Sequence, residues 1–367
     1  MAIVFTACNP SLNNEVKEIS EFTISITSSM NSGEVQLSNY VDSITVIPLE
    51  TTDESLIARA SNIVLFQDKI FISDAVAQQL IVFSNTGKHI KTFHKRGQGG
   101  GEYISLTNFF ITKEYIYILD ISNRIILVYN HDFQFINRIK LESPAHNLII
   151  QDNNIWLYNI PGQTYDKDFE LTCINTENQT FNLFERKYIN GNNIKNITFW
   201  IGGNVFHSLN EQSFYSEQYG NKIYKLGKNS PTLYLDLDFG DYTIPETKSI
   251  FLQESVLYSA DFPYVAKEFF SISSKYNIVR FCNAKGKSNH IFQNKKNGEI
   301  QFGTVKNDII PNYRFIPIFA TDNILIEPIS AALLFDEDFN GILDFEPSLR
   351  NVSEEDNFVL IFYHLKE

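Results

Sequence analysis

Short alternating runs of apolar and polar residues, each led by a polar turn, recur along this chain. Asp68-Lys69-Ile70-Phe71-Ile72-Ser73-Asp74, Glu114-Tyr115-Ile116-Tyr117-Ile118-Leu119-Asp120 and Asn153-Asn154-Ile155-Trp156-Leu157-Tyr158-Asn159 share this form. Alternation with a period of two, rich in β-branched and aromatic residues, predicts strands. The first two copies stay in register. Adding 46 to Ile70, Asp74, Phe83, Ile90 and Phe93 reaches Ile116, Asp120, Tyr129, Ile136 and Ile139, and residue character is kept at each. Weaker copies start at Gly203-Asn204-Val205-Phe206, Tyr276-Asn277-Ile278-Val279 and Asp322-Asn323-Ile324-Leu325. The anchors Ile70, Ile116, Ile155, Val205, Ile278 and Ile324 are spaced by 46, 39, 50, 73 and 46 residues. A period of about 45 residues with about four strands per unit predicts an all-β, six-bladed propeller of antiparallel blades.

The first unit divides into strands over Ser61–Phe66, Ile70–Ser73, Gln79–Phe83 and His89–Phe93. Gln67-Asp68-Lys69 and Asn85-Thr86-Gly87 are the hairpin turns, and Gly87 suits a positive φ. The gap of 73 requires an insertion, and Pro245 ahead of Ser249–Tyr258 predicts a helix there. A second insertion, Ile329–Arg350, carries Phe335, Phe339, Ile342 and Leu343 at helical spacing. Two further strand patterns lie at the ends: Tyr40–Leu49 and Phe358–His364. Their pairing would complete the last blade and leave the ring without a break.

Composition agrees with this reading. Of 367 residues 14% are aromatic, with 31 Phe and 18 Tyr, a bias that strands accommodate well. The net charge of −13 argues against nucleic acid as a partner, because an acidic surface repels phosphate. Cys8, Cys173 and Cys282 show no metal-type spacing. Cys173 and Cys282 fall in strand patterns, where a buried free thiol is expected, although a disulfide between them stays open. Val4-Phe5-Thr6-Ala7-Cys8 has the small residues before cysteine that a lipoprotein signal peptidase needs. Residues 1–8 are therefore read as a shortened leader with Cys8 as the lipidated residue. Polar residues follow, so 9–33 is expected to be a flexible tether and 34–367 the propeller. No later segment has 18 consecutive apolar residues.

Three stretches carry a family resemblance. Ile47-Pro48-Leu49-Glu50-Thr51 looks like an entry strand. Arg96-Gly97-Gln98-Gly99-Gly100-Gly101-Glu102-Tyr103 resembles an Arg-Gly-x-Gly-Pro-Gly-Glu-Tyr loop. Glu354-Glu355-Asp356-Asn357-Phe358-Val359-Leu360 resembles an Asp-Asn-Pro-Val-Leu ending. Together they resemble the six-bladed propeller lipoproteins typical of Bacteroidetes, related in fold to NHL-type propellers. The likeness spans Ser38 to Lys366, with Gly100 and Phe358 standing where the family usually has proline. It implies this fold, export and a lipid anchor at the outer membrane, and assigns no activity.

Candidate chemistry is sparse. In the glycine loop Arg96, Gln98, Glu102 and Tyr103 are the candidate ligand-binding residues, alongside backbone amides. The competing reading is a structural crossover; Gly-Lys-Ser/Thr, needed for a phosphate loop, does not follow these glycines. Asp74 and Asp120 end equivalent strands. They either bond turn amides or begin a carboxylate ring, but the matching positions Asn159, Leu209, Cys282 and Pro328 do not continue one. Asp336, Asp338, Asn340, Gly341 and Asp344 follow calcium-loop spacing, yet Pro347 stands where the bidentate Glu belongs. The histidines (His89, His94, His131, His146, His207, His290, His364) form no HxH or HExxH pair, and no Gly-x-Ser-x-Gly elbow occurs. Trp156, Trp200 and Tyr165 are expected in packing more than in sugar stacking. The expectation is thus a monomeric binding module of the cell envelope, needing no cofactor and taking a glycan, peptide or protein. The second reading is a metal-dependent hydrolase or lactonase in the pore.

Overall fold

A computed structural model describes residues 19–26, 33–159, 169–185, 205–216, 220–228, 230–243, 265–282 and 288–367. Strand β1 (Phe22–Ser25), β2 (Gly33–Gln36) and β3 (Val41–Pro48) precede the repeats. Blade 1 holds β4 (Ala60–Phe66), β5 (Lys69–Asp74), β6 (Gln79–Ser84) and β7 (His89–Phe93). Blade 2 holds β8 (Asn108–Ile111), β9 (Ile116–Asp120), β10 (Ile125–Tyr129) and β11 (Phe135–Lys140). Blade 3 holds β12 (Ala145–Gln151), β13 (Asn154–Asn159), β14 (Phe169–Ile174) and β15 (Thr180–Glu185). Blade 4 holds β16 (Phe206–Leu209), β17 (Gln212–Tyr215), β18 (Lys222–Leu226) and β19 (Pro231–Asp238). Blade 5 holds β20 (Ala266–Ile272), β21 (Tyr276–Cys282), β22 (Ser288–Asn294) and β23 (Ile300–Lys306). Blade 6 holds β24 (Phe319–Thr321), β25 (Ile324–Ile329) and β26 (Val359–Leu365), with β3 as its fourth strand. The described residues thus form the six antiparallel sheets expected, and their first strands meet around a central axis.

Middle strands are apolar on both faces because each blade packs against two neighbours. A buried apolar cluster fills every interface between successive blades, including that between blades 6 and 1. Turn chemistry sets the hairpins. Gln67 and Asp68, and again Asp152 and Asn153, are left-handed, which matches the twist of the strands they join. Gly87 has φ +81°, and a Cβ there would stand 2.2 Å from the Pro48 carbonyl oxygen. No side chain fits at this point, where β3 runs past blade 1.

The ring closes as expected. Strand β26 pairs antiparallel with β3 from Val359 opposite Pro48 to Leu365 opposite Val41. The Asn357 side chain locks the joint: it accepts from Ile57 N at 2.8 Å and donates to the Glu50 and Ser55 carbonyls.

Four details differ from the sequence reading. Phe22–Ser25 lies within the segment expected to be tether, yet it forms β1, paired in parallel with β19. Gly33–Gln36 does the same on β23. The segment carrying these two strands and β3 therefore runs along the outer edges of blades 4, 5 and 6 in turn, and two blades gain a fifth, parallel strand. Alternating side chains and open edge amides made this pairing available, but four-residue patterns are too short to reveal it. The fourth anchor also moves. Val205 leads into β16, the innermost strand, and the turn equivalent to Gln67–Asp68 is Asn210–Glu211, with Ser213 at the anchor position, eight residues later. Two apolar residues follow Gly203-Asn204, whereas the polar Gln212 and Ser213 follow Asn210-Glu211, so local pattern alone misplaced it. In the second insertion three short pieces replace one helix: 3-10 turns at Ala331–Phe335 and Pro347–Asn351 flank α1 (Gly341–Phe345). Ile342 is buried there, whereas Phe335 is 47% exposed. The helix expected over Ser249–Tyr258 lies outside the described residues.

Candidate functional site

The glycine loop joins β7 to β8 and is closed at its base. Gly97 N donates to the Tyr103 carbonyl at 2.9 Å, and Tyr103 N donates to that of Lys95 at 3.1 Å. Tyr103 is fully buried. Its hydroxyl donates to the Gln78 carbonyl at 2.8 Å, and burial pushes its pKa up to about 12. The Glu102 carboxylate turns back into the loop and accepts from Gly99 N at 2.8 Å. A Cβ on Gly97 would lie 2.0 Å from the Glu102 Oε2 atom, so glycine makes room for that carboxylate. Of the four candidates, Tyr103 and Glu102 hold the loop together, while Arg96, bridged to Tyr103 at the base, and Gln98, within the loop, are exposed. Cys8 lies outside the described residues.

Asp74 and Asp120 are fully buried cross-links. Asp74 accepts from Ala58 N and Arg59 N of the incoming crossover and from Val76 N and Ala77 N of its own turn. Asp120 accepts from Ile104 N and Ser105 N and from Asn123 N and Nδ2. Each ties the loop entering a blade to the turn between its second and third strands. Replacing Asp74 with Ala leaves four part-buried donors without their acceptor, so chemical denaturation should show a loss of about 2 kcal/mol. Asp74→Asn should lose less, and an unchanged midpoint for both variants would refute this role.

No three His, Cys, Asp or Glu side chains converge as an ion site among the described residues. In the segment with calcium-loop spacing, Asp338 instead pairs with Arg314 at 3.3 Å, and Asp336 Oδ1 accepts from Asp338 N. Trp156 is fully buried in packing; Trp200 and Tyr165 lie outside the described residues. Cys173 and Cys282 are free and buried in blades 3 and 5, and burial lifts both thiols to about 12.

A cleft of about 510 Å³ opens at the end of the ring carrying the turns between first and second strands. Its wall comes from three blades: Gln151 and Asp152 of blade 3, Leu209 to Gln212, Phe214, Lys225 and Tyr234 of blade 4, and Lys295 of blade 5, with Glu21 just ahead of β1. The frame is rigid. Gln151 Oε1 accepts from Ser213 N at 2.6 Å, and Gln212 Nε2 donates to the Ser213 and Leu226 carbonyls. Asp322 of blade 6 reaches over to accept from Asn210 N. Lys295 Nζ donates to the Ser273 carbonyl at 3.0 Å. Burial lowers the pKa of Lys295; Glu21 counters this and the like charge of Lys225 adds to it. The sequence reading did not single out this cleft. Its residues are scattered over four places in the chain, and only the equivalence of the turn positions could have pointed to them.

Blades 5 and 6 also enclose a polar layer. Glu327 is buried and accepts from the Tyr313 and Tyr363 hydroxyls and from Ile316 N. Arg280 pairs with Glu268 at 3.2 Å and donates to the Pro317 carbonyl. These bonds satisfy groups that would otherwise be costly to bury.

Among curated proteins none matches this chain. The fold is similar to the crystal structure of a proposed exported protein of Bacteroides fragilis, at 18% identity and a TM-score of 0.72, covering 94% of this chain and 100% of that one. It is also similar to a Bacteroides vulgatus member of the duf4221 family, at 11% identity and a TM-score of 0.50, covering 89% and 97%. Residues 21–364 match the family described as "Domain of unknown function (DUF4934)", and the chain belongs to that family.

Proposed function

We propose that this protein is an exported binding module of the bacterial envelope, tethered to the outer membrane by lipid on Cys8, and that its ligand sits in the cleft beside Asp152, Asn210, Lys225 and Lys295. The observation that carries the reading is the cleft itself: charged side chains converge from three blades onto a frame whose amides are already committed. A rigid scaffold with turns gathered at one end is a common basis for binding. Export is supported by the Val4–Cys8 pattern and by the description of the Bacteroides fragilis relative. No helix among the described residues is long and apolar enough to cross a membrane. The exposed Arg96 and Gln98 offer a second polar contact at the opposite end of the ring. Among the described residues no cluster of acids, histidines and cysteines supports the pore hydrolase.

The test uses the full chain carrying Cys8→Ser, purified and applied to glycan and short-peptide arrays. Binding is expected, and charge reversal at the rim by Lys225→Glu or Asp152→Lys should abolish it. Absence of binding on every array, together with turnover of a substrate, would reject the module in favour of an enzyme.

A further inference from the structure

Two lysines and three acids face the cleft, on different elements. Lys225 projects from β18 and Lys295 follows β22, while Asp152 lies at the turn between β12 and β13 and Glu211 at the turn after β16. Not all of these charges are available. Glu211 is held by Lys113 at 3.0 Å. Among the described residues, Lys225 and Asp152 have no ion-pair partner. Lys295 has a backbone carbonyl as its direct bond and Glu21 within electrostatic reach. The cleft therefore presents two lysines, faced only by Glu21, on the side of blades 4 and 5 and a carboxylate with no ion-pair partner among the described residues on the side of blade 3.

Resting on the reading that this cleft is the ligand site, we infer that it takes a small zwitterion: a molecule whose carboxylate meets Lys225 and Lys295 and whose ammonium meets Asp152, of the size of a free amino acid or dipeptide. The half-buried Lys295, repelled by the exposed Lys225 beside it, gains most from a carboxylate, which relieves the repulsion and replaces lost hydration. A polyanion is disfavoured, because Glu21 and Asp152 already match the two lysines in charge. A neutral sugar lacks its usual stacking partner: Phe214 and Tyr234 line the cleft but are 3% and 4% exposed. The volume lies within the roughly 300–1,000 Å³ range of small-molecule sites.

Isothermal titration calorimetry on the full chain tests this with glycyl-leucine, its N-acetyl form, its C-amide and a neutral disaccharide. The free dipeptide should bind, and capping either end should weaken it about tenfold or more. Lys225→Met and Lys295→Met should each cost about tenfold against the free dipeptide and little further against the amide. Asp152→Asn should behave in the same way towards the acetylated form. Thermal melting checks that each variant remains folded. Equal affinity for free and capped forms, or no dipeptide binding, overturns the zwitterion. Disaccharide binding that the cleft variants disrupt overturns it too, yet keeps the cleft as the site. Array-detected binding that no cleft variant alters overturns the cleft reading itself.

Discussion

A chain ending at Asn357 should not fold. The ten residues removed contain β26, the strand between β25 and β3. Val359, Leu360, Ile361 and Tyr363 are fully buried and Phe362 is 4% exposed. Each such side chain contributes about 1.5–3 kcal/mol by burial, and together they rival the whole stability of an ordinary domain. Their loss also leaves both neighbouring strands unpaired at once. Blade 6 would then offer no surface to blade 1, so the apolar cluster holding Ile47, Ile63, Ile72 and Phe83 would open to water. Circular dichroism of the truncated chain should show no cooperative unfolding transition, and the material should aggregate. A cooperative melt near that of the full chain would mean that ring closure is not what holds the fold together.

Acidification from pH 7.5 to 5 should lower stability by a few kcal/mol. Three histidines are kept neutral inside the protein. Burial pulls His207 down to about 4, partly offset by its bond to the Ile272 carbonyl, and pulls His146 to about 4. For His290 burial is again the main cause and repulsion by Arg280 adds to it, giving about 3. Both ring nitrogens of His290 are buried without a hydrogen-bond partner, so the charged ring would find no acceptor.

Because these folded pKa values lie below the unfolded value near 6.5, the unfolded chain binds protons first as pH falls. The stability is complete above about 6.5 and drains away towards pH 4. At pH 5 each fully buried histidine costs about 2 kcal/mol, and the half-buried His146 less.

Glu327 works in the opposite direction. Burial raises it to about 7, against the bonds from Ile316, Tyr363 and Tyr313 that favour its charged form. The folded state therefore takes up this proton first. The contribution of Glu327 is present below about 4.5 and is lost as pH rises through 7. Between pH 7.5 and 5 it returns about 2–3 kcal/mol, less than the histidines withdraw. Urea melts at the two pH values measure the balance. The double variant His207→Gln, His290→Gln should reverse the trend and become more stable on acidification. A wild-type midpoint that is the same at both pH values would contradict the account.

The blade count, the strands of blade 1 to within one residue, and the pairing of Tyr40–Leu49 with Phe358–His364 were legible in the sequence. Those features rest on side-chain period and turn chemistry, which act over a few residues and are written in order along the chain. Asp74 and Asp120 show the boundary of that legibility. Their equivalence was readable from a shift of 46, while their role needed the positions of Ala58, Arg59, Ile104 and Ser105, which sit on crossovers that sequence does not place. Only the tertiary structure decided the rest. Strands β1 and β2 lie on blades 4 and 5 because open sheet edges accept any suitably extended segment, and the choice among edges depends on the finished ring. Glu102 and Tyr103 turned inward because the loop closes on itself. The charges of the cleft meet because Asp152, Lys225 and Lys295, distant in the chain, occupy one end of neighbouring blades, and electrostatics acts through space with no regard for sequence separation.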